Sequence, residues 1–129
     1  MASSISNPLH LMPQRKRMPA RRASSTKTIS FGGEKYHLTI GRYEDGTPGE
    51  VFLTRIKDAT AAKLGTQLEA MCRDAAITIS LALQYGVPIE VIRDAMTRNA
   101  EGEAQTIIAF VIDEMTQGEE EHDCSRIEL

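Results

Sequence analysis

The densest group of chemically capable side chains in this 129-residue chain is His122-Asp123-Cys124, an imidazole, a carboxylate and a thiol in direct succession. These are nitrogen, oxygen and sulfur ligands, but three adjacent residues rarely close a tetrahedral metal site without a second cluster elsewhere. A redox role for Cys124 would need a depressed thiol pKa, and the surrounding acids push the other way. A solvated tail is the simpler reading. Cys72, the other cysteine, falls in an apolar helical stretch where a buried free thiol is commonplace. Two cysteines build no disulfide framework and suit a reducing compartment. His37 alternates outward on a strand with no Asp, Ser or Cys beside it, which makes it a surface histidine. Gly32-Gly33 leads into a strand, not a helix, so it is a turn and not a phosphate loop. No residue is assigned to catalysis, to a cofactor or to a metal.

Charge is the other chemical signal. Arg15, Lys16, Arg17, Arg21 and Arg22, with Lys27, all precede the first acid, Glu34, whereas Asp113, Glu114, Glu119, Glu120, Glu121, Asp123 and Glu128 crowd the other end. The net charge of -3 hides this asymmetry. The basic arm has two readings: a solubilising disordered end, or an electrostatic contact with nucleic acid, nucleotide or an acidic protein face. Arg15, Lys16, Arg17, Arg21 and Arg22 are the candidate docking residues. A helix, a Gly86 corner and a short helix mimic a helix-turn-helix, which keeps nucleic acid open as the rival partner. The short helix carries Glu90 and Asp94 among its surface residues, and these would repel phosphates.

The elements that must position these residues follow from periodicity. Residues 1–26 are Ser, Pro and Arg with little pattern and read as a disordered basic arm. From Thr28 the period is two: Ile29 and Phe31, a Gly32-Gly33 turn, then Tyr36, Leu38 and Ile40 against His37 and Thr39, a break at Asp45-Gly46, and a third run over Glu50 to Ile56. This is a three-stranded antiparallel β-meander, too thin to stand alone. Leu64, Leu68, Met71, Ala75, Ile79, Ala82 and Leu83 recur at helical steps, and Ile77 and Leu81 widen the stripe until the helix should be the buried centre. Gly86 and Pro88 mark a helix-to-helix corner. A short helix over 88–97 and a last one over 104–115, with Ile107, Phe110, Val111 and Met115 inward and Asp113 and Glu114 outward, complete an α+β fold with about three helices. The domain spans 27–117, followed by an acidic tail at 118–129.

The longest apolar runs fall far short of the roughly 20 residues needed to cross a bilayer. The Arg cluster precedes no apolar segment of a secretory signal, although its composition is shared with mitochondrial transit peptides. The cytoplasm is the default compartment.

Three stretches carry a family resemblance: Met18-Pro19-Ala20-Arg21-Arg22, then Gly41-Arg42-Tyr43-Glu44-Asp45-Gly46-Thr47-Pro48-Gly49-Glu50-Val51-Phe52-Leu53, then Arg73-Asp74-Ala75-Ala76 through Leu81-Ala82-Leu83-Gln84-Tyr85-Gly86-Val87-Pro88. In order and spacing they resemble the TSCPD domain, found near the C-terminus of class II, adenosylcobalamin-dependent ribonucleotide reductases and also as small stand-alone proteins. The resemblance implies a link to ribonucleoside-diphosphate reduction and deoxyribonucleotide supply for DNA synthesis. It places adenosylcobalamin and the radical cysteines in a separate barrel that this chain is expected to lack. The Thr-Ser-Cys-Pro-Asp string of the family name is absent, Cys124 being the nearest tail thiol. The expectation is an accessory or regulatory module, not catalytic alone, with a reductase catalytic subunit as partner through Arg21 and Arg22. Exposed sheet edges and oppositely charged ends make a homodimer a further expectation.

Overall fold

The computed structural model describes residues 14–56 and 66–128, with side chains over 14–56 and 67–117. Residues 1–13, half of the expected arm, lie outside the described residues, as does Leu64. Three antiparallel strands, β1 (Ala23–Phe31), β2 (Glu34–Arg42) and β3 (Pro48–Arg55), form one sheet in the order β1-β2-β3. Helices α1 (Thr66–Gln84), α2 (Ile89–Ala95) and α3 (Ile107–Glu128) follow. The α+β meander read from the sequence is the observed architecture.

Gly32 and Gly33 take φ values of 59° and 81°, the two positive angles that a tight two-residue hairpin turn demands. The register then sets Ile29 opposite Tyr36, with Leu38 opposite Leu53 and Ile40 opposite Val51. Because side chains alternate, these residues share one face, and all are buried. Cys72, Ala76, Ile79 and Leu83 of α1 cover them, joined by Ile107, Val111, Ile112 and Met115 of α3.

The α1 helix also closes the outer edge of β3. Ser80 Oγ accepts the Val51 N–H at 2.9 Å and donates to the Val51 carbonyl at 3.3 Å, and Gln84 Nε2 donates to the Gly49 carbonyl at 2.9 Å. Edge groups that would otherwise face solvent are thereby satisfied. At the end of α1, Gly86 (φ 96°) gives its N–H to Leu83 and Val87 gives its N–H to Ala82, the paired bonds of a Schellman stop.

Four expectations are corrected. The first strand starts at Ala23, not near Thr28, because its early pairing is made by the backbone while Ser24 and Thr26 stay exposed and leave no apolar signal. Residues 14–22 are no free arm but lie against the domain, as described below. Helix α3 continues to Glu128, since no proline follows Met115 and the acidic tail is rich in good helix formers. Finally, α1 is not buried all round: Met71, Ile77 and Leu81 are exposed because a three-stranded sheet and α3 cover only one side of it.

Leu38 is 1% exposed at the centre of the core. Leu38→Ala is expected to lower stability by about 2–5 kcal/mol, read as a reduced urea midpoint at unchanged m-value.

Candidate partner-docking site

The three stretches of the resemblance meet at one end of the fold. Lys16 donates its main-chain N–H to the Gln84 carbonyl at 2.7 Å, and its own carbonyl accepts the Tyr43 hydroxyl. Its ammonium stands 4.3 Å from the centroid of the Tyr43 ring, a cation–π contact. Arg15 Nε donates to Gln84 Oε1 at 2.7 Å, so one buried glutamine ties the strap of residues 14–22 to both α1 and β3. Arg22 pairs with Glu50 and donates to the Pro19 carbonyl at 2.6 Å.

Two glycines make this clasp sterically feasible. A Cβ on Gly49 would collide with Met18 and the Tyr43 ring, and one on Gly41 would collide with the Glu50 carboxylate. The β2–β3 loop is held by Asp45, which accepts from the Thr47 N–H at 3.0 Å and the Thr47 hydroxyl at 2.7 Å. Those bonds favour the carboxylate and hold Asp45 below its ordinary pKa. Tyr43 is raised, mainly by desolvation, and stays a neutral donor.

The five candidate docking residues thus divide. Arg15, Lys16 and Arg22 are spent on the domain itself, whereas Arg17 and Arg21 are exposed and pair with no carboxylate among the described residues. Beside the strap runs a groove of about 470 Å³ between β3 and α1, lined by Arg15, Phe52, Arg73, Ile77 and Leu81 among others. Phe52, Ile77 and Leu81 are all exposed there. Ile77 and Leu81 lie four residues apart and so share one side of α1. Apolar groups between two arginines make a surface suited to an apolar segment with carboxylates at its flanks.

Three ionic features escaped the periodicity reading. Arg55 lies on the inward face of β3 with its side chain fully buried, its two terminal nitrogens reaching Glu34 Oε1 at 3.3 Å and Glu69 Oε1 at 3.1 Å. Positions 51, 53 and 55 share strand parity, which puts this charged residue on the apolar face. Asp113 and Glu114, expected to face solvent, are instead partly buried partners of Arg98 (2.6 Å) and Lys27 (2.5 Å). The Asp113 bonds raise the Arg98 pKa. In α2, Arg93 stands 3.6 Å from Asp94. The helix-turn-helix-like segment therefore presents arginines already matched by acids.

Chemistry is scarce elsewhere. Cys72 is buried, and desolvation followed by the nearby Glu69 charge raises its thiol pKa, which keeps it protonated. His37 is exposed. Among the described residues no three of His, Cys, Asp and Glu converge as a metal site, and no helix is long and apolar enough to cross a membrane. The side chains of His122, Asp123 and Cys124 lie outside the described ones.

Fold and site together define a small α+β module whose built surface is a clasped basic strap beside an apolar groove. The family model of the TSCPD domain matches residues 12–119, and the chain belongs to that family. It is similar to proteins named vitamin B12-dependent ribonucleotide reductase. The one from Bradyrhizobium diazoefficiens is 39% identical over 87 residues, 67% of this chain and 6% of that protein. Those from Rhodopirellula baltica and Agrobacterium fabrum are each 39% identical, over 62% and 65% of this chain and 7% and 6% of theirs. The chain thus spans less than a tenth of the length of these relatives. No solved structure matches it.

Gln84→Ala removes both side-chain bonds of the clasp and leaves the Gly49 carbonyl without its donor. It is expected to cost about 1–3 kcal/mol and to speed tryptic cleavage after Arg15, Lys16 and Arg17, read by mass spectrometry. Cys72 is expected to resist iodoacetamide in the native protein and to react in urea, with peptide mapping separating it from Cys124. A raised acid pKa favours the protonated fold, so the Cys72 contribution leaves stability unchanged below the ordinary thiol pKa and lowers it as pH rises above that value. A Cys72→Ser comparison of urea midpoints at neutral and alkaline pH reads that slope.

Proposed function

We propose that this chain acts as an accessory or regulatory module of a ribonucleotide reductase, docking on the catalytic subunit that carries out deoxyribonucleotide supply for DNA synthesis in the cytoplasm. The observation that carries the reading is the division of labour in the strap. The Lys16 main chain, Arg15 and Arg22 are fixed to the domain, which leaves Arg17 and Arg21 exposed on an ordered segment, and the same segment supplies Arg15 to the groove that holds Phe52, Ile77 and Leu81. A pre-ordered strap loses less conformational entropy on binding than a disordered one. Family membership supplies the pathway, since the relatives named as reductases contain this domain within a much longer chain.

No observation favours nucleic acid as strongly, because Arg93 and Arg98 around the short helix already face acids. Catalysis by these residues is equally unsupported, since Cys72 is buried and protonated.

The test is titration of the purified chain into the vitamin B12-dependent reductase encoded in the same genome, followed by calorimetry. Saturable binding is expected, with Arg17→Glu/Arg21→Glu weakening it roughly tenfold or more at low salt and flattening its dependence on salt, and Leu81→Asp weakening it at all salt concentrations. Absence of binding at low salt, or binding indifferent to both variants, would sink the proposal.

A further inference from the structure

The two edges of the sheet are treated differently. On β3 the outward groups of Gly49 and Val51 are taken by Gln84 and Ser80. Val51 therefore does not exchange backbone bonds with its partner Ile40, and alternation makes Ile40 bond instead to Ser25 of β1. By the same parity Ser25, Lys27, Ile29 and Phe31 bond to β2, while the N–H and C=O groups of Ser24, Thr26, Thr28 and Ser30 face outward. None of these four has a backbone partner among the described residues beyond the sheet's own ladder.

This edge also lacks the usual protection. Strand β1 is nine residues long, contains no proline, and its pairing with β2 has no bulge. Its one charged residue, Lys27, points to the inner face and is bound to Glu114. The outer face shows Thr26 Oγ1 bonded to Thr39 Oγ1 at 2.8 Å, the kind of cross-strand hydroxyl pair that a further strand of the same composition would extend.

We propose that β1 is a homodimer interface, at which a second copy of this chain adds its own β1 antiparallel across a two-fold axis at Thr28. Centred there, Thr28 faces Thr28 of the second copy and Thr26 faces Ser30, so three residue pairs exchange roughly six backbone hydrogen bonds. Lys27 falls beside Ile29, so no like charges meet. A register shifted by one residue would set Lys27 against Lys27. The product is a six-stranded sheet with a β3 edge at each end, capped by α1 at Gly49 and Val51. A two-fold pairing uses the β1 edge of both copies and so gives a closed dimer, not a fibre.

The experiment is sedimentation equilibrium of the full chain over a wide concentration range, together with amide exchange of β1 by NMR. A dimer is expected, with the Thr26, Thr28 and Ser30 amides protected at high concentration and exchanging freely on dilution. Thr28→Pro removes an outward donor that the monomer does not use, so it is expected to keep the circular dichroism spectrum and raise the dimer Kd about a hundredfold. Leu81→Asp, in the groove, is expected to leave the dimer intact. A chain that stays monomeric at high concentration overturns the proposal. So does a dimer whose Thr28 amide exchanges as fast as that of the monomer, a result that needs no variant to fold.

Discussion

A sheet of three strands has one face to bury and too little width to bury it well, so the covering helix must do more than lie across it. Here α1 meets β3 in two ways: Cys72, Ala76, Ile79 and Leu83 fill the space beneath the sheet, and Ser80 and Gln84 bond to the backbone of its edge. The second contact fixes the rotation of the helix, because hydrogen bonds to Gly49 and Val51 tolerate little displacement. Rotation in turn decides that Ile77 and Leu81 face solvent beside Phe52, and where the Gly86 corner throws the chain towards α2. The groove exists because the edge is sealed from that side.

The strap is a second consequence of the same helix. Gln84 is the last residue of α1, and its carbonyl and both side-chain atoms are all in use, for Lys16, Arg15 and Gly49. Around it the absence of a Cβ at Gly41 and Gly49 lets Glu50, Tyr43 and Met18 close up. The stretches that mark the family are therefore structural neighbours: one motif holds another in place. A motif with this geometry testifies first to the fold, and only through the surface it displays to the function.

The meander, its Gly-Gly turn, the Gly86 stop and the inward residues of β2 were legible because apolar alternation and positive-φ glycines leave a direct trace in sequence. The start of β1 was not, since Ser24 and Thr26 pair by backbone alone. Nor was the end of α3, where helix propensity runs on through residues that composition marks as a tail. Arg55, Asp113 and Glu114 were misread or missed for one reason: a salt bridge is a relation between distant residues, and periodicity sees each charge alone. For the docking site, the sequence reading named five cations as one group. The structure separates them by what their main chains and side chains touch.

Lys16 is anchored by its amide N–H and its carbonyl, groups that every residue other than proline possesses. The identity of the side chain at such a position is not constrained by the anchoring itself, and Arg17 and Arg21 beside it are exposed. A strap fastened through its main chain is a display rail: the lettering on it can be rewritten while the rail stays bolted down. Descendants of one fold could in this way change what they recognise without relearning how to fold.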